Sequence, residues 1–122
     1  MQKSDKDKIL KMIEEGIFDA RLLINCIAKL NKKIANKYRY VRISSKNCRI
    51  EPEIVQYEEN LKLFNYWVDY RKPILDALMK KYRISLEEVK ELSKTVKDEE
   101  LPTYKMIDSV RERILSGKYI CV

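Results

Sequence analysis

The sequence predicts a small all-α protein, a bundle of four to six helices. Three observations lead there. Only two Gly and three Pro interrupt 122 residues, too few for the many turns of an all-β chain. Apolar residues recur at i, i+3 and i+4 along most of the chain, which is the helical period. Helix-start signals, above all Ser85-Leu86-Glu87-Glu88, stand in front of those runs. The length fits one domain, 1–122, divided into a basic segment 21–50, a helical core 52–83, a capped helix 85–95 and a C-terminal helix 102–116.

Each element has its own warrant. Ser4 or Asp5 is suited to cap a first helix, with Ile9, Leu10, Met12, Ile13 and Ile17 as its apolar stripe and Gly16 as its breaker or a tolerated interruption. From Ile17 to about Lys37 the pattern is again helical. At 100° per residue Ala20, Leu23, Ile27, Leu30 and Ile34 share one side, and Arg21, Asn25, Lys29, Lys32, Lys33, Asn36 and Lys37 the other. The period then changes. Tyr38 to Ile43 is β-branched and aromatic, Ser44-Ser45-Lys46-Asn47 resembles a turn, and Cys48 to Glu51 fits a return strand. These residues predict a short β-hairpin or extended loop near 38–51, with fraying of the second helix as the alternative.

Pro52 suits a helix's first turn. Ile54, Tyr57, Leu61, Phe64 and Val68, widened by Leu63, Tyr66, Trp67 and Tyr70, predict a central helix that Pro73 ends, kinks or follows with another, to about Arg83. Ser85 and Glu88 form a capping box, with Ile84 and Val89 at the staple positions. Pro102 is expected to open the last helix, whose stripe is Tyr104, Met106, Ile107, Val110, Ile114 and Leu115, and Gly117 to stop it. The apolar tail Tyr119 to Val122 is expected to dock on the core or on a partner.

Composition excludes several classes. No uninterrupted apolar run approaches the ~18 residues of a membrane span, and the first residues lack a secretory layout, so an intracellular, cytoplasmic location is expected. There is no His, which removes the commonest general base and metal ligand. Three Cys, at 26, 48 and 121, contain no CxxC pair and read as incidental thiols, with a Cys48–Cys121 bridge as the alternative. Adjacent acids such as Glu14/Glu15 and Glu58/Glu59 point about 100° apart on a helix and do not converge on one atom. Asp69 and Asp76 make one pair without a third ligand. The aromatics of 57–70 sit at helical spacing and read as core. No Gly-rich phosphate loop exists. No cofactor, no metal and no enzymatic activity are expected.

Charge is the informative signal. The net charge is +7, and residues 21–50 hold nine basic groups and no acidic one. The remaining segments, 1–20 and 51–122, each sum to −1. Lys29, Lys33 and Lys37 lie at i, i+4 spacing with Lys32 beside them, and Arg39, Arg42, Lys46 and Arg49 extend the segment. Such surfaces attract phosphate backbones through counterion release. Tyr38 and Tyr40, set among the arginines, suit stacking on unpaired bases. A helix-turn-helix within 74–116 fits poorly, because Asp98, Glu99, Glu100 and Pro102 fall where the second helix would be. The expectation is therefore a non-enzymatic protein binding DNA or RNA with low sequence specificity, through Lys29, Lys32, Lys33, Lys37, Tyr38, Arg39, Tyr40, Arg42, Lys46 and Arg49. The alternative is a structural or adaptor subunit, a homo- or hetero-oligomer whose basic segment faces an acidic protein partner.

Overall fold

The computed structural model describes residues 3–121, with side chains described over 7–120. The protein is all-α. Its five helices are α1 (Lys3–Glu15), α2 (Ala20–Lys46), α3 (Glu51–Tyr82), α4 (Leu86–Lys94) and α5 (Tyr104–Leu115). Two-residue strands β1 (Ile17–Phe18) and β2 (Ile120–Cys121) and a 3-10 turn at Asp98–Glu100 complete the order. The chain divides into two compact units, Met1–Lys29 with Pro73–Val122, and Leu30–Lys72; α2 and α3 each contribute to both.

The first unit holds most of the core. Phe18, Leu23, Ile27, Ile74, Leu78, Val89, Ile107 and Val110 are fully buried. α1 ends at Glu15 because Gly16 turns left-handed, at φ +72°. Ser4 and Asp5 lie inside that helix rather than before it, and Ile17 belongs to β1, so the expected cap and the last member of the stripe are corrected. The Ile120 amide donates to the Gly16 carbonyl at 2.6 Å. β2 then pairs parallel with β1, Ile17 opposite Ile120 and Phe18 opposite Cys121. Tyr119 stacks on Phe18, ring centroids 5.8 Å apart, so the tail from Tyr119 to Cys121 docks within its own unit, Val122 lying outside the described residues. The Tyr82 hydroxyl donates to the Phe18 carbonyl at 2.9 Å and ties the end of α3 to the same strand.

Caps set the remaining boundaries. The Asp19 carboxylate accepts from the Leu22 amide at 2.8 Å and starts α2. Ser85 Oγ accepts from the Glu88 amide at 3.2 Å, and its hydroxyl lies 3.1 Å from Glu88 Oε1. The box therefore closes onto the hydroxyl, not onto the Ser85 backbone. Thr103, not Pro102, caps α5, accepting from the Met106 amide at 3.2 Å. Gly117, at φ +73°, ends α5 in a Schellman arrangement: Lys118 N donates to Arg113 O and Gly117 N to Ile114 O. The Arg21 guanidinium pairs with Glu100 at 3.1 Å and, by that hydrogen bond, holds the Glu100 carboxyl below the usual carboxylate range. Cys26 and Cys48 are free thiols; the Cys121 side chain lies outside the described ones.

The second unit is an antiparallel helical hairpin, and here two expectations are corrected. No β-hairpin forms near 38–51: α2 continues to Lys46, and only 47–50 connects it to α3. The helix propensities of Tyr, Val, Ile and Ser fall short of Ala by only tenths of a kcal/mol, about 0.7 at most. Contacts with α3 outweigh that deficit. Tyr38 packs on Phe64 at 5.6 Å between centroids, and Asn60 Nδ2 donates to Ser44 Oγ at 3.2 Å. The hydroxyls of Ser44 and Ser45 turn back onto the Tyr40 and Arg42 carbonyls at 2.8 Å, so the turn-like serines are satisfied inside the helix.

The second correction concerns α3. Pro73 lies in the interior of one 32-residue helix, so of the expected alternatives it neither ends α3 nor starts another helix. Its 54–70 portion is not a central helix. Ile54, Val55, Leu63 and Tyr66 are exposed, Tyr57, Phe64 and Trp67 are half-buried, and of the five aromatics only Tyr70 is buried. The reason is geometric: in this unit a single neighbour, α2, covers one side of a helix that is apolar on more than one.

Candidate nucleic-acid interface

Because α2 runs unbroken to Lys46, the helical period alone places the basic side chains. It puts Lys32, Ala35, Arg39, Arg42 and Lys46 within an arc of about 80°, on a stripe about 21 Å long. Lys32, Arg39, Arg42 and Lys46 are exposed. A shallow depression of about 400 Å³ runs along this stripe, lined by Ala35, Tyr38, Arg39, Arg42, Ile43 and Lys46. Among the described residues, no carboxylate is ion-paired with Arg39, Arg42 or Lys46. Of the five acids of this unit, Glu51, Glu58 and Asp69 fall by the same period on one line of α3 and are exposed, while exposed Glu59 and half-buried Glu53 lie off that line.

The other predicted residues are distributed differently. Lys29 belongs to the first unit, is half-buried, and places its ammonium 4.5 Å from the Tyr104 ring centroid. Burial raises the Tyr104 phenol above its ordinary value. Lys33 is half-buried with its ammonium 5.4 Å from the Trp67 centroid, and Lys37 is half-buried on the same flank. Lys29 and Lys33 thus lean toward aromatic rings, and the outward stripe is the one carried by 32, 39, 42 and 46. Arg49 is exposed in the connection, where its amide donates to Glu53 Oε2 at 3.0 Å.

The two tyrosines also differ. Tyr38 is 50% exposed, but its ring already meets Phe64, and the Arg42 guanidinium carbon lies 6.0 Å from its centroid. Tyr40 is 52% exposed and makes no ring contact among the described residues. Tyr40 is therefore the ring available for stacking.

One cation escaped the sequence reading. Arg71 is half-buried in the hairpin, and its Nη1 donates to the neutral Asn31 Oδ1 at 2.6 Å. Its Nε is buried with no partner among the described residues, and burial lowers the guanidinium pKa from its ordinary value. A mixed-charge stretch, Asp69 to Lys72, gave no signal that this Arg would turn inward.

Among the described residues no three His, Cys, Asp or Glu side chains gather as a metal site, and no helix is long and apolar enough to cross a membrane. Residues 95–103 between α4 and α5 contain a 3-10 turn, much longer than the three- or four-residue turn of a helix-turn-helix pair. Comparison of the chain with protein-family models, with curated proteins and with solved structures finds no match.

Proposed function

We propose that the protein is a non-enzymatic nucleic-acid-binding protein whose outward α2 stripe contacts phosphates. The observation that carries this reading is the exposed line of Arg39, Arg42 and Lys46, with no carboxylate paired to it among the described residues. Like charges on one helix face repel one another. A polyanion relieves that repulsion and gains the entropy of released counterions. Contacts of this kind read the backbone and not the bases, so binding is indifferent to sequence. Tyr40 adds stacking when bases are unpaired, which favours single strands by about 1–3 kcal/mol for each base stacked.

The test is anisotropy with labelled single- and double-stranded DNA and RNA of unrelated sequences. The reading requires retention at ~50 mM salt, similar across sequences and falling steeply as salt rises. No retention of any of the four at low salt contradicts it.

A second reading has its own observation. Ile54, Val55, Leu63 and Tyr66 leave apolar surface open on α3, as a subunit interface would. An adaptor or oligomeric subunit would use that face and turn its basic stripe to an acidic partner. Sedimentation of the chain and of a Leu63→Glu/Tyr66→Glu variant separates the readings: a mass that halves in the variant favours the subunit.

A further inference from the structure

Asn25 is the one buried polar residue in the described core, 7% exposed, between the buried Leu22, Leu23, Cys26 and Ile27 of α2. Among the described residues nothing hydrogen-bonds its side-chain amide. Its amide atoms reach solvent, since among the described residues only the Arg71 Nε is a fully buried side-chain polar atom without a partner, and the amide faces open space. Two adjoining cavities of about 390 and 320 Å³ share Ile9, Leu22, Asn25 and Glu100 as walls. Met12 closes the first on its apolar side, and Pro102 and Met106 the second.

The rim is charged: Lys8 and Glu99 line it beside Asp19, Arg21 and Glu100. Asp19 caps α2 through the Leu22 amide, and Arg21 is paired with Glu100. At the centre lies a neutral amide, offering donor and acceptor side by side in a plane, beside the apolar Ile9 and Leu22. That pattern matches the edge of an uncharged heterocycle carrying an adjacent acceptor and donor, the pairing by which Asn binds adenine bidentately. The size is that of ordinary small-molecule sites, about 300–1,000 Å³.

We infer that this cavity is a binding site for a free nucleobase or nucleoside, held edge-on by Asn25 with its faces against Ile9, Leu22 and Met106. The site stands apart from the polyanion reading, since it engages the base and needs no phosphate.

The experiment titrates adenosine and thymidine into the full chain at ~0.5 M salt, where phosphate contacts are screened. At least one nucleoside is expected to bind at about 0.1–1 mM. Asn25→Leu is expected to weaken that binding about tenfold or more, since it removes both hydrogen-bonding groups from the site. No binding of either nucleoside at several millimolar, about 5 mM, overturns the inference and leaves a solvated cavity. Binding unchanged by Asn25→Leu overturns it as well. Should that variant fail to fold, Overhauser contacts in the unmodified protein decide: base protons near the Ile9 and Met106 methyls support the site, and their absence overturns it.

Discussion

Lys33, half-buried, places its ammonium 5.4 Å from the centre of the Trp67 ring, while Arg42, nine residues on along the same helix, is exposed, its guanidinium carbon 6.0 Å from the centre of the exposed Tyr38 ring. Equal charge therefore does unequal work. Lys33→Ala is expected to lower the unfolding free energy by about 0.5–1 kcal/mol, the value of a surface cation–π contact. Arg42→Ala is expected to leave stability within about 0.5 kcal/mol and to weaken oligonucleotide binding more than Lys33→Ala does. Chemical denaturation and anisotropy on the two variants check the split.

The two glycines give a controlled comparison. Both adopt positive φ, +72° at Gly16 and +73° at Gly117. A Cβ at Gly117 meets nothing within 4 Å, whereas one at Gly16 overlaps the Lys118 carbonyl oxygen. Gly117→Ala should cost only the left-handed conformation, about 1–2 kcal/mol. Gly16→Ala should cost that and also separate β1 from β2. Thermal melts of both variants test this, and equal melting temperatures would contradict it.

Cys26 is fully buried, and burial pushes its thiol from 9.0 to about 12. The thiol of the folded protein should resist alkylation at pH 8, while half-buried Cys48 reacts. Mass spectrometry after limited labelling reads the difference. The folded pKa is raised, so the stabilisation is complete below pH 9.0 and is lost as pH rises toward 12. A Cys26→Ser variant should lose that alkaline dependence.

Two hydroxyl caps hold the short C-terminal helices. Ser85→Ala and Thr103→Ala should each cost about 1 kcal/mol, and Asn or Asp at either place should restore most of it. Urea midpoints of the single variants check both.

What the sequence made legible follows from the reach of its signals. Ser85 with Glu88 and Gly117 behind Leu115 are local chemistry, and local chemistry decides helix ends, so these elements stand where they were expected. Residues 38–46 did not, because the β-leaning of Tyr38 to Ile43 is worth tenths of a kcal/mol each and the contacts that overrule it come from Asn60 and Phe64, distant in sequence. The basic residues themselves were visible. Their division into an outward stripe and a ring-facing flank depended on the true length of α2. Asn25, placed on the polar side by periodicity, is buried instead; no periodicity argument anticipates a wall supplied by Ile9 of α1.

The most direct test of the account is the salt slope of a triple variant, Arg39→Gln/Arg42→Gln/Lys46→Gln. Each lost phosphate contact removes about 0.9 from the slope of log K against log salt on duplex DNA and about 0.7 on single strands. The variant should therefore bind with a slope shallower by about 2.7 on duplex or about 2.1 on single strands, with an unchanged melt. A variant that folds and keeps the slope of the unmodified protein would show that these three side chains meet no phosphate.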